Sequence, residues 1–359
     1  AELGRVPALA AALGSALVRS EGSLAREPLY LARVLLVDLH DVEAPPECLR
    51  IDPCHGLGQR VGPYLSLNGS LGRFSRRHMF TRLLVELGVQ KVRITGGEPL
   101  LRRDATDLVR QLAAIDGIRD LALTTNGSAL GAMAKELKAA GLHRVTVSLD
   151  ALDESVFSGM NDVGFPVQRV LHGIQAAVEA GLTPVKVNMV VKRGVNEDLV
   201  VPMVQAFHER GHALRFIEFM DVGTTNGWKL DQVVSAAELL ERLRGEFDLE
   251  PIQPAYRGEV ASRWRHADGK GELGFVTSVT RPFCGDCTRL RLSADGHLFT
   301  CLFAAKGHDL KGQLRGGGSD GELRTWLAGL WKARDDRYSE TRAANTDSTD
   351  RVEMSYIGG

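Results

Sequence analysis

The chain has 359 residues, 44% of them hydrophobic and 25% charged, and a formal net charge of −1. That is globular material for one large domain or two, and it argues against bulk electrostatic capture by nucleic acid or an anionic membrane. No run approaches the roughly 18 apolar residues of a membrane span. Ala8 to Val18 has the look of a short signal core, but Glu2 precedes it and no A-x-A cleavage site is evident. An N-terminal helix or loose tail, in a cytoplasmic protein, is the expectation.

Residues 1–29 carry little pattern. Tyr30 to Leu39 (YLARVLLVDL) reads as a buried strand. The stretch from there to about residue 80 is rich in Pro, Gly, Ser and Arg without periodicity, a loop composition of unusual length. From Thr81 a helix-like run leads to strand Lys91 to Thr95 and then GGEP. Strands follow at Leu121 to Thr125, Arg144 to Asp150, Pro184 to Val191 and Leu214 to Met220, each separated from the next by a helical segment. Such alternation predicts parallel β/α units. With a sixth strand near residue 35 they make a six-fold partial barrel over residues 30–250; a doubly wound open sheet is the rival. After Pro251 the alternation stops, and residues 251–359 read as a smaller α+β domain.

Five cysteines (Cys48, Cys54, Cys284, Cys287 and Cys301) are too few and too uneven for a disulfide framework. They read as metal or redox chemistry in a reducing compartment. Cys284, Cys287 and Cys301 stand in a C-x2-C-x13-C pattern that can close three sides of a metal site. A zinc clip would need His297 or His308 as fourth ligand. Arg289 and Arg291 alternate just after the first pair, so on an extended segment they share a face and can grip an anion. Lys91, Arg93, Lys186 and Arg215 are basic residues inside otherwise apolar strands. Each needs a partner: buried salt bridges to Glu98, Asp150 or Glu218, or an anionic, phosphate-bearing ligand. Strand ends carry polar or glycine residues (Gly96-Gly97, Thr124-Thr125, Ser148, Met220), where ligands bind in parallel α/β folds.

The segments KVRITGGEPLLRRD, LTTNG, VSLDA, VKVNMVVKRGVNED, RFIEFMDVG, FCGDCTRLRLSADG, CLF, RDDRYS and the terminal GG together resemble the GTP 3′,8-cyclases, radical S-adenosylmethionine (SAM) enzymes of molybdenum cofactor biosynthesis, from about Thr81 to Gly359. The resemblance implies a partial (β/α)6 barrel whose open side is covered by a C-terminal iron–sulfur and GTP-binding domain. It implies two 4Fe-4S clusters, one cleaving SAM to a radical and one presenting an open iron to the guanine of GTP. Cys284, Cys287 and Cys301 match the ligands of the second cluster. Arg93, Thr124, Lys186, Arg289 and Arg291 match GTP contacts, and Lys91 and Arg215 match further basic residues of the cavity. Gly97, Ser148 and Met220 match SAM contacts; Gly358 and Gly359 match a tail directed at the active site. The product passes to a partner enzyme, cyclic pyranopterin monophosphate synthase, and a homodimer is the candidate assembly.

One departure stands out. The family's C-x3-C-x2-C motif after the first strand is absent; Cys48 and Cys54, with His55 beside them, form only C-x5-C. The arginine of the first strand has only Arg33 as a candidate. Three explanations remain: an out-of-frame segment over about residues 20–80, a non-catalytic GTP-binding relative with one iron–sulfur or zinc site, or an unusual cluster on Cys48, Cys54 and His55.

Overall fold

The structure is a computed structural model that describes residues 33–38, 74–161, 164–223, 225–256, 258–342 and 352–358. Parallel pairing runs through six neighbouring strands: β2 (Lys91–Gly96), β3 (Asp120–Thr125), β4 (Arg144–Ser148), β5 (Lys186–Val191), β6 (Ala213–Glu218) and β9 (Glu272–Val276). Helices Ala105–Ala113, Leu130–Ala139, Val167–Glu179 and Val200–His208 fill the crossovers from β2 to β6. Parallel strands need such crossovers, and the helices then cover one face of the sheet. The fold is α/β, an open, partial (β/α)6 TIM-like barrel.

Each helix presents an apolar stripe at helical spacing. In Val167–Glu179 the buried residues include Val170, Gly173, Ile174 and Ala177, one face of a 3.6-residue period. They meet the strand positions Val92, Ile94, Leu121, Leu123, Val145, Val147, Val187, Met189, Leu214, Phe216, Leu273 and Phe275 in one continuous core. Gly173 allows a close approach: a Cβ there would sit 2.6 Å from the Gly127 carbonyl. Gly127 itself has φ +79°, which only glycine adopts without strain, so the TTNG turn is built on it.

The sixth parallel strand is not the one expected from the sequence. β9 lies beyond residue 251, yet it pairs with β6 in parallel and extends into antiparallel β8 (Ala261–His266) and β7 (Leu249–Ile252). The strand near residue 35 is β1 (Arg33–Asp38), and it lies beside β2 but runs antiparallel to it, from Arg33↔Gly96 to Asp38↔Lys91. On its other side β1 pairs, again antiparallel, with β10 (Leu290–Leu292). β11 (His297–Phe299) and β12 (His308–Asp309) complete the sheet. The order β12-β11-β10-β1-β2-β3-β4-β5-β6-β9-β8-β7 makes one sheet of 12 strands. No described helix is long and apolar enough to cross a membrane.

Candidate active site

Alternation along β2–β6 sends every second residue away from the helices. That face carries Lys91, Arg93 and Thr95 on β2, Asp120 and Thr124 on β3, Arg144, Thr146 and Ser148 on β4, Lys186 and Asn188 on β5, and Arg215 on β6. The register joins them into rows: Arg291 opposite Leu36, Leu36 opposite Arg93, Arg93 opposite Ala122 and Ala122 opposite Arg144. A second row runs Thr124, Thr146, Lys186, and a third Ser148, Asn188, Arg215, Gly274. Gly274 leaves room for Arg215, whose Cγ would lie 3.1 Å from a Cβ at that position.

None of the three carboxylates expected to neutralise these cations does so. Glu98 accepts from Leu100 N (3.0 Å), Thr125 Oγ1 (2.7 Å) and Asn126 N (2.6 Å), tying the GGEP turn to the end of β3. Burial nevertheless holds its pKa above the ordinary value, against those three hydrogen bonds. Asp150 accepts from Val190 N at 2.7 Å, and burial raises its pKa to about 6. Glu218 takes the backbone N–H groups of Ala236, Val279 and Thr280 and the Thr280 hydroxyl. Their short local donors outcompete the more distant cations.

The actual counter-charges are Asp120 and Glu259. Asp120 receives Arg144 bidentately (2.9 and 2.6 Å) and lies 3.7 Å from Lys91 Nζ. Glu259 lies 3.9 Å from Arg215 and 3.7 Å from Arg263. Among the described residues no carboxylate forms an ion pair with Arg93 or Lys186. Burial first, then the charges of Arg215, Arg144, Arg93 and Lys91, lower the Lys186 pKa to about 6. Arg93 Nε, Thr124 Oγ1, Thr146 Oγ1, Asn188 Oδ1 and Arg215 Nε are buried without a hydrogen-bond partner among the described residues. A face of this kind is shaped for a polyanion with acceptor oxygens.

Gly97, Ser148 and Met220 gather at the carboxyl rim of the parallel strands, directly after β2, at the end of β4 and just after β6; Gly97 and Ser148 are exposed. The segment after β6 is pinned where Asp221 accepts from Tyr338 Oη (2.7 Å) and Arg342 Nε (2.8 Å).

Cys284 and Cys287 bracket one 3-10 turn, and Cys301 follows β11. Burial alone would raise the Cys287 pKa, but Arg289, Arg334 and Arg291 outweigh it and bring it to about 6, favouring thiolate. Arg289 Nε donates to Cys287 Sγ at 3.2 Å and stacks on Phe283. Burial raises Cys301 to about 11. Arg291 is buried and donates from Nε to the Gly358 carbonyl at 3.1 Å, which brings the tail to this site. Among the described residues no three His, Cys, Asp or Glu side chains converge as they would on a single metal ion. His297 is held by Asp295 at 2.8 Å. Three cysteines beside three arginines fit an anionic 4Fe-4S cluster.

Arg144, Thr146, Tyr256 and Glu259 were not singled out by sequence reasoning. Arg144 could have been, since it is the first residue of RVTVSLD and has the strand setting of Lys91 and Arg93. Tyr256 and Glu259 lie in a loop without periodicity. Tyr256 Oη accepts from Lys91 Nζ at 3.2 Å, and its ring lies 4.6 Å from the same ammonium. With Phe283 and Asp286 the loop lines a cavity of about 530 Å³ between the cationic face and the cysteine turn. Cys48, Cys54, His55 and Gly359 lie outside the described residues. Arg33 is opposite Gly96, at the far end of β2 from Lys91, and the position between Arg291 and Arg93 belongs to Leu36.

The fold and the two halves of the site define a radical SAM protein: the Radical SAM superfamily model matches residues 77–207, and the Molybdenum Cofactor Synthesis C model matches residues 212–340. A GTP 3′,8-cyclase of Xanthomonas axonopodis pv. citri (strain 306) is 53% identical over 286 residues, which cover 80% of this chain and 85% of that protein. GTP 3′,8-cyclases of Acidothermus cellulolyticus and Staphylococcus saprophyticus subsp. saprophyticus are 47% and 46% identical, covering 77% and 80% of this chain and 83% and 85% of theirs. The chain belongs to the GTP 3′,8-cyclase family, enzymes of molybdenum cofactor biosynthesis.

The family's SAM chemistry calls for a second 4Fe-4S cluster. The donor set for it does not fit, because only two cysteines remain outside the 284–301 region.

Proposed function

We propose that the chain takes GTP into the site in which its family's cyclase reaction yields (8S)-3′,8-cyclo-7,8-dihydroguanosine 5′-triphosphate. The triphosphate lies along Lys91, Arg93, Lys186 and Arg215, with Thr124 donating to it, and the nucleoside extends past Arg289 and Arg291 towards the cysteine turn. Cys284, Cys287 and Cys301 hold a 4Fe-4S cluster which, when bound, offers an open iron to the guanine. Arg289 and Arg291 keep Cys287 ionised and steer the base. Gly97, Ser148 and Met220 form the SAM side of the cavity, on the carboxyl rim. Residues 251–359 serve as the nucleotide-holding part and residues 30–250 as the barrel part, joined through β9. In that reaction the product passes to cyclic pyranopterin monophosphate synthase; the chain is placed in the cytoplasm, where reducing conditions preserve the thiols. A homodimer is the working assembly.

The observation that supports this reading best is the unbalanced cationic face: among the described residues Arg93 and Lys186 form no ion pair, and they stand beside buried polar atoms without a partner there. Calorimetric titration with GTP, GDP, GMP and ATP tests it. GTP should bind at least about tenfold more tightly than GMP, because lost phosphates forfeit charge-assisted bonds of about 1.5–3 kcal/mol each. Equal binding of GTP and GMP would remove the cationic face from the nucleotide site.

A further inference from the structure

We infer that this polypeptide holds one iron–sulfur cluster, on Cys284, Cys287 and Cys301, and binds the nucleoside triphosphate without cleaving SAM. The inference rests on the GTP reading above and concerns residues 1–359 themselves. A four-iron cluster that leaves one iron open to a ligand uses three thiolates. Two such clusters use six, and the chain has five cysteines. With three assigned to the 284–301 region, Cys48 and Cys54 are one short.

Topology points the same way. In a run of parallel β/α units the segment after the first strand emerges at the carboxyl rim, where ligands bind. Here that place beside β2 is taken by β1, which runs the other way. Its last residue, Asp38, is opposite Lys91, whereas Gly97 follows the opposite end of β2. β1 therefore ends at the rim remote from Gly97, Ser148 and Met220. The Radical SAM match begins only at residue 77, after both cysteines.

The test uses the whole chain, reconstituted anaerobically with iron and sulfide. Iron, sulfide and zinc are counted in the wild type, in a Cys48→Ser/Cys54→Ser double variant and in Cys301→Ser. GTP binding is followed by calorimetry, and 5′-deoxyadenosine is sought after addition of SAM and reductant. The expected result is about four irons and four sulfides in the wild type and in the double variant. Cys301→Ser should lose most of that iron, GTP should bind, and no 5′-deoxyadenosine should form. About eight irons, loss of iron in the double variant, or formation of 5′-deoxyadenosine would overturn the inference and leave the GTP reading intact. Iron near zero, or zinc in its place, overturns it together with the C-terminal cluster. Four irons without GTP binding removes the nucleotide reading instead.

Discussion

Lys186 links nucleotide binding to a proton. Its ammonium is buried and surrounded by Arg215, Arg144, Arg93 and Lys91, and its pKa lies at about 6. At pH 8 only about 1% of it is charged in the free protein, against nearly all of an ordinary lysine. A triphosphate on the cationic face reverses the local sign and restores the ammonium. Binding at pH 8 should then take up close to one proton, the γ-phosphate, with a pKa near ~6, being already ionised. Affinity should fall about tenfold, or about 1.4 kcal/mol, per pH unit from roughly pH 7 to the pKa of the bound lysine. The stability of the free protein runs the opposite way. The unfolded chain keeps this proton up to about pH 10.4 and the folded chain releases it above about 6, so stability rises with pH through that window. Titration calorimetry in buffers of different ionisation enthalpy reads the proton directly, with Lys186→Met as the uncharged control of similar length. Zero uptake in the wild type, or the same uptake in Lys186→Met, would refute the argument.

Other predictions follow from the same geometry. Arg289→Ala and Arg291→Ala should each weaken GTP binding by about 1–3 kcal/mol, and unchanged affinity would separate those side chains from the nucleotide. Gly274→Val should push Arg215, whose Cγ already lies 3.1 Å from an added Cβ, and weaken GTP binding several-fold while the melting temperature moves little; equal affinity would show that Arg215 tolerates displacement. Glu218→Ala strands the N–H groups of Ala236, Val279 and Thr280 and the Thr280 hydroxyl. It should cost about 3–5 kcal/mol in urea unfolding, visible as a lower midpoint at constant slope. A change under about 1 kcal/mol would mean that water replaces the carboxylate.

The barrel strands were legible because each combines an apolar alternate face with a polar strand end. The predicted strand at residues 91–95 is β2, and those at 121–125 and 214–220 are β3 and β6 to within two residues. β9 was read as part of a separate α+β domain, since pattern gives a strand's existence and not its neighbour; its pairing with β6 is a long-range choice made by packing. The direction of β1 was equally hidden: the four apolar residues between Arg33 and Asp38 pair either way. The cations were found because a charge in an apolar strand violates local pattern. Their counter-charges were missed for a related reason. Glu98, Asp150 and Glu218 are near in sequence to the strand ends but are consumed by local backbone donors, whereas Asp120 and Glu259 are made neighbours only by the sheet.

β1 is bonded on both sides, to β2 and to β10, and neither bond is parallel. Remove it and two rows of backbone N–H and C=O groups lie bare, each a template for a strand from another molecule. Trimming the chain to its family-like portion by cutting before residue 74 would therefore do more than discard a segment without a cluster. It would open the sheet in the middle, between the barrel strands and the strands around the cysteine turn. Such a fragment should self-associate through those edges, and the six residues of β1 act as a seal whatever the chemistry of the residues that follow them.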